Sequence, residues 1–124
     1  MSQSRPLYYH LISSPFFFFS RIKELVVHPT FIVLTLLGNG FIVCAATVLY
    51  ALESDVNPKL LTFVDALWWS VSTVTSVGYG DIVPVTTTGK FMGMITMIVG
   101  TAFFGSFTAL FAASLLRPEL KSDG

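Results

Sequence analysis

Two long runs of this chain carry no charge: Phe31–Leu52, 22 residues, and Phe91–Leu116, 26 residues. As helices rising about 1.5 Å per residue they would reach about 33 and 39 Å. A bilayer's hydrocarbon core is about 30 Å thick and needs some 20 apolar residues to cross. Each run therefore reads as a membrane span, and the second is long enough to tilt or to project. Only 11% of the residues are charged, against about 25% in soluble domains, too few to keep 12 Phe, 4 Tyr and 2 Trp wet. An ordinary soluble enzyme and a disordered tail are thereby excluded. Seven basic residues balance seven acidic ones, which leaves no basic face for nucleic acid. The single cysteine, Cys44, allows neither an internal disulfide nor a cysteine metal cage. At mid-span it reads as packing.

The remaining charges orient the spans. Arg5, Arg21, Lys23, Arg117 and Lys121 lie outside the two runs. Lys59 and Lys90 lie between them, with Glu53, Asp55, Asp65 and Asp81. Basic residues favour the inner side, so both termini are expected on the cytoplasmic or matrix side. The loop between the spans has a net charge of −2. No acid precedes Glu24, while Arg5, Arg21 and Lys23 are interleaved with five serines. That bias suits a mitochondrial transit sequence or a membrane-surface helix equally, which makes the mitochondrial inner membrane and the plasma membrane the two expected homes. Ser14-Pro15 fits an N-cap followed by proline in the first turn. Phe18, Ile22, Leu25 and Val26 then recur on one helical face, as in a helix lying among headgroups, and Pro29 turns the chain into the first span. His10 and His28 stand on the inner side without the partners a catalytic triad needs.

Between the spans, Ser54–Leu60 contains Asp55, Asn57 and Pro58, a turn composition. From Thr62 to about Val74 the pattern is helical, with Phe63, Ala66, Leu67, Val71 and Val74 able to share one side. The uncharged stretch Ala66–Gly80 has 15 residues, too few to span. It can enter and leave the membrane on one side, or dip into the interface on Trp68 and Trp69. Irregular backbone at membrane depth is tolerated only where it lines a cavity or is buried in protein.

The informative run is Thr73-Val74-Thr75-Ser76-Val77-Gly78-Tyr79-Gly80-Asp81. Gly78 and Gly80 accept left-handed backbone. A backbone alternating between ordinary and left-handed conformations can aim successive carbonyls to one side, and four copies around an axis would stack rings of oxygens that replace a cation's hydration shell. Ala66-Leu67-Trp68-Trp69-Ser70-Val71, then Val77-Gly78-Tyr79-Gly80-Asp81, then Pro84, resembles the pore helix and filter of potassium channels of the two-transmembrane bacterial type. The resemblance covers roughly residues 30–117. In size and layout the chain looks like the miniature potassium channels of large algal viruses.

The resemblance implies an all-α membrane protein with two transmembrane helices, a re-entrant pore helix and a selectivity-filter loop, assembling as a tetramer. The layout it implies has residues 1–28 as an interfacial or targeting segment and 29–117 as the pore domain. Within that domain the first span is about 30–53, the pore helix about 62–74, the filter 75–80 and the second span about 86–116. Residues 118–124 form a short tail. The filter would be Thr75, Ser76, Val77, Gly78, Tyr79 and Gly80, with K+ as permeant ion and no cofactor. Trp68, Trp69, Ser72 and Asp81 would support it. Trp69 would donate its indole N–H toward Asp81, and Tyr79 would brace the filter against the pore helix. Gly100 would sit at a gating hinge and Phe104 beside the cavity, with Thr108 and Ala112 toward the inner crossing. The residues themselves offer a plainer role for the glycines, because small residues let membrane helices pack closely.

Two positions depart from the family pattern. Ser76 stands for the usual threonine and keeps the hydroxyl but loses β-branching, so barium block is expected to shift while selectivity persists. Ser72 stands where related channels often carry glutamate, so it cannot form a carboxyl–carboxylate pair with Asp81. The partners expected are K+, membrane lipids and three further copies of the chain, with no nucleic acid. The first span holds no Arg or Lys, so no voltage-sensing helix is expected, and neither is a regulatory domain. The resulting conductance would be leak-like or weakly gated. A non-conducting accessory subunit and a weakly selective cation channel are the alternatives. No residue cluster suggests an enzyme.

Overall fold

The computed structural model describes residues 15–116, which form four helices and no strand. Helix α1 is Pro15–Val27, α2 Pro29–Glu53, α3 Phe63–Val74 and α4 Thr87–Leu116. The transit-like composition of residues 1–14, with Ser14 and His10, and the 118–124 tail lie outside the described residues.

The break between α1 and α2 has a local cause. Pro29 has no N–H to donate and sits comfortably in a first turn. His28 takes the N-cap position, its Nδ1 accepting the Thr30 N–H at 3.2 Å. The inward face of α1 centres on Leu25, which is buried. Phe18 and Val26, expected to share that face, are exposed, because α1 touches the other helices only along a narrow line. Arg21 bridges to Glu24 at 3.1 Å and lies 5.2 Å over the Phe17 ring.

Helices α2 and α4 are the two long enough and apolar enough to cross a membrane, which makes this an integral membrane protein. They run antiparallel. Phe31, near the start of α2, packs edge-on against Phe107 and Phe111 of α4, with centroids 5.6 and 6.3 Å apart. Phe41 meets Phe103 at 5.7 Å. Gly38 lies on this seam, where a Cβ would be in ordinary contact with the Phe107 ring at 3.6 Å. The outward faces stay apolar: Leu36 is 69% and Ile98 73% exposed. Such a surface belongs against lipid or another protein, not water.

The core lies toward the other end of α2, where Ala45, Ala46 and Leu49 close on Leu60, Ala66 and Trp69. Helix α3 begins with a capping box. The Thr62 hydroxyl accepts the Asp65 N–H while Asp65 Oδ2 accepts the Thr62 N–H at 2.7 Å. These bonds satisfy donors that a helix start leaves unpaired. The buried face of α3 is Ala66, Trp69, Ser70 and Val74. Val71, expected on that face, is exposed because it stands about 100° round the helix from Ser70. Phe63 shares the phase of Ser70 and Val74 but is the first residue of α3, where its ring meets Tyr50 edge-on and stays exposed. The Ser70 hydroxyl is buried without a hydrogen-bond partner.

One buried side chain decides the path of the whole middle segment. Glu53, the last residue of α2, is fully buried. Its carboxylate accepts the Val85 N–H at 2.9 Å, the Thr86 N–H at 2.9 Å and the Thr86 hydroxyl at 2.8 Å. Asn57 donates from Nδ2 to Glu53 Oε2 and to the Val83 carbonyl, both at 2.9 Å. The chain therefore leaves α2 and returns to the same place some 30 residues later. Everything between enters and exits on one side, so α3 is re-entrant. Thr86 then starts α4, its hydroxyl accepting the Gly89 N–H at 2.9 Å and its carbonyl the Lys90 N–H. Gly89 has to be glycine: a Cβ there would run into the Glu53 carboxylate.

Candidate functional site

The site begins where α3 ends. Thr75 caps α3, its hydroxyl donating to the Val71 carbonyl at 2.7 Å. Beyond it the backbone alternates. Ser76, Gly78 and Gly80 have φ of 64°, 59° and 76°, while Val77 and Tyr79 between them stay out of the left-handed region. For the glycines this conformation costs little, and for Ser76 it costs about 1–2 kcal/mol. A β-branched residue fits it less well than serine does. A Cβ on Gly78 or Gly80 would meet nothing within 4 Å, so the constraint on both positions is the torsion angle and not space.

Ser72 holds this strand in place. Its backbone carbonyl accepts the Gly78 N–H at 3.0 Å, and its hydroxyl accepts the Tyr79 N–H at 3.1 Å. Ser72, which cannot form a carboxyl pair with Asp81, bonds directly to the backbone of this segment instead. Tyr79 stacks on Trp68, with centroids 5.2 Å apart and planes 27° from parallel. Trp68 Nε1 donates to Asp81 Oδ2 at 2.9 Å. This corrects the sequence expectation, which gave the bond to Trp69. Helical phase turns Trp69 the other way, into the core, where its ring lies against Gly93. Trp68, Ser72, Tyr79 and Asp81 therefore form one bracket, and Trp69 supports it only from behind.

Among the described residues, nothing covers the other side of this segment. Val77 is 61% and Tyr79 68% exposed. One chain supplies a wall and not an enclosure. The C-terminal end of α3 points its partial negative charge toward this strand, a favourable arrangement for a cation.

Gly100 sits directly behind the α3 terminus. A Cβ there would lie 2.9 Å from Val74 Cα, so close packing alone explains the glycine. Phe104 and Thr108 are exposed on α4, and the Thr108 hydroxyl donates back to the Phe104 carbonyl at 3.2 Å. Ala112 is also exposed, one turn beyond Thr108.

Glu53 is the structuring residue that sequence reasoning missed. In the sequence it is one of four acids between the spans, but its carboxylate is buried and accepts from the backbone of Val85 and Thr86 and the side chains of Asn57 and Thr86. Asp55 and Asp81 are exposed acids of that segment. Asp65 is committed to its capping box, where the N–H and hydroxyl of Thr62 hold its carboxyl below the usual aspartate range.

Comparison with known proteins agrees with this geometry. The family described as "Ion channel" matches residues 37–117, well over half of the chain. A "Voltage-gated potassium channel" of Aeropyrum pernix is 37% identical over 94 residues, covering 71% of this chain and 30% of its own length. A "Calcium-gated potassium channel TvoK" of Thermoplasma volcanium is 35% identical over 66 residues, covering 53% of this chain and 19% of its own. A "Potassium voltage-gated channel subfamily A member 6" of Mus musculus is 41% identical over 61 residues, covering 49% and 12%. The chain thus spans less than a third of these relatives. Among solved structures, a voltage-gated K+ channel pore module crystallised in a closed state in lipid membranes is 32% identical, covers 69% of this chain and 92% of its own, and has a TM-score of 0.47. By the family match this chain belongs to the ion-channel family, and the relatives it resembles there are potassium channels.

Proposed function

We propose that four copies of this chain form a potassium-selective pore that conducts K+ passively across a membrane. The observation that carries the reading is the alternation at Ser76, Gly78 and Gly80, hung on Ser72 and open on its far side. A carbonyl-lined strand exposed along one face cannot surround an ion alone. Four strands around an axis supply rings of oxygens at a spacing that replaces the water around a dehydrated monovalent cation. Carbonyls of Ser76, Val77, Gly78 and Tyr79 would line the ion path, with the hydroxyl of Ser76 or Thr75 at its inner end and Gly80 at its mouth. Phe104, Thr108 and Ala112 would face the cavity below. Asp55 and Asp81, repeated four times, would enrich cations at the outer mouth, subject to salt screening. The basic Arg21 and Lys23 support an inner position for α1, on the cytoplasmic side or, if the targeting expectation holds, the matrix side.

The test is a flux assay. Purified protein is reconstituted into vesicles loaded with K+ and diluted into Na+, and a proton-coupled dye reports K+ efflux. Wild type should release K+, and Gly78→Ala should lose most of the signal. Equal efflux down a Na+ gradient would point instead to a weakly selective cation pore. No flux from intact oligomers would point to an accessory subunit.

A further inference from the structure

The α2 span carries one amide side chain, Asn39, and it is exposed. It stands ten residues beyond Pro29, about 15 Å into a hydrocarbon layer of about 30 Å, so it lies near the membrane centre. Polar groups there are costly against lipid. Four hydroxyls of the spans meet this cost internally. The hydroxyls of Thr35, Thr47, Ser106 and Thr108 each donate their one proton to the carbonyl four residues back. Asn39 does the same through Nδ2, to the Thr35 carbonyl at 2.8 Å. An amide, however, has two N–H protons and an acceptor oxygen. One donor and the carbonyl oxygen of Asn39 have no partner among the described residues.

We infer that the spare N–H of Asn39 bonds to Ser106 on α4 of an adjacent copy of this chain. The inference rests on the proposed multi-copy pore. Three observations select Ser106. Its depth matches, because Gly38, next to Asn39, packs against Phe103 and Phe107, which bracket Ser106. Its chemistry matches, because the hydroxyl has spent its proton on the Ala102 carbonyl at 2.8 Å and keeps acceptor capacity. Its direction matches, because at about 100° per residue Ser106 stands roughly opposite the Phe104 and Thr108 side assigned to the pore. It also lies off the Phe103 and Phe107 edge that meets its own α2. Ser106 is exposed as well. Beside Asn39, Gly40 has nothing within 4 Å of where a Cβ would be, so a neighbouring helix can come close.

The test compares full-length wild type with Asn39→Leu, Ser106→Ala and the double variant, each as the detergent-solubilised oligomer. The readout is the temperature at which the oligomer band dissociates on electrophoresis, with reversal potential in bilayers measured alongside. The expected result is a downward shift in each single variant, no further shift in the double, and an unchanged reversal potential. An unshifted Asn39→Leu, or single shifts that add in the double, would overturn the bond and assign Asn39 to lipid. Potassium selectivity retained in that case would leave the pore reading standing. Wild type that migrates as a single chain would overturn both. If Asn39→Leu does not accumulate, Ser106→Ala reads the same bond from the other side, and an unchanged dissociation temperature there overturns it.

Discussion

Trp68 and Trp69 are adjacent in sequence and opposite in role. Trp68 stacks on Tyr79 and donates to Asp81, while Trp69 fills the core. Composition cannot separate them; only helical phase can. Ala66, Ser70 and Val74 were available as phase markers, and they place Trp69 on the buried side. A double-mutant cycle tests the assignment. Trp68→Phe keeps an aromatic ring against Tyr79 but removes the N–H. It should lower thermal stability by about 1 kcal/mol, and the loss should largely vanish when Asp81 is already Ala, which offers no acceptor. Trp69→Phe should also destabilise, through lost packing, but additively with Asp81→Ala. Coupling of Trp69 and not Trp68 to Asp81 would reverse the assignment. The glycines divide in the same way. The left-handed backbone of Gly78 and Gly80 was legible because that torsion requirement is a property of the motif. The close approach of Gly100 to Val74 is a tertiary fact that no local pattern carries. Gly100→Ala should cost about 1–3 kcal/mol through overpacking against backbone. Gly105→Ala, with nothing within 4 Å, should stabilise α4 by about 0.5–1 kcal/mol. Thermal unfolding of the two variants should move in opposite directions, and a shared direction would remove the packing argument.

Among the helices, α2 and α4 were legible from the absence of charge, and α3 from its apolar spacing. The strap that joins them was not. An acid ending an apolar run looks like a headgroup-level anchor, and the donors that Glu53 meets, at Val85 and Thr86, are 32 and 33 residues away. Glu53→Gln keeps one oxygen acceptor but turns an amide NH2 toward donors. It should destabilise the fold by about 1.5–3 kcal/mol, measured by thermal unfolding, and Glu53→Ala should do more. No loss in either variant would mean that the re-entrant segment is held by its packing alone. The capping box of α3 gives a pH signature. Asp65 is held below the usual aspartate range, so its contribution is fully present at neutral pH and fades as pH falls through that lowered value. Acid titration followed by circular dichroism should show a loss of helix in wild type below about pH 4 that is weaker in Asp65→Asn. Identical acid profiles would remove Asp65 from the account of α3 stability.

At the scale of the whole molecule, the proposed pore makes one chain a quarter of a device. The segment Ser76–Gly80 is supported behind by Ser72 and Trp68 and bare in front, the long helices have apolar outer faces, and one mid-helix amide keeps a donor with no partner among the described residues. Each of these is an incomplete surface that further copies would complete. The alternating backbone of Ser76–Gly80 was legible because its cause is local: a short run with glycines at fixed steps. The contacts that hold it in place depend on how α2, α3 and α4 meet, and they became visible only in three dimensions. The most direct measurement is the reversal potential of purified protein in a planar bilayer, with K+ on one side and Na+ on the other. Wild type should reverse far toward the potassium equilibrium potential, and Gly78→Ala should move the reversal toward zero. Wild-type current reversing near zero, or selectivity untouched by Gly78→Ala, would contradict a pore selective through the alternating backbone of Ser76–Gly80.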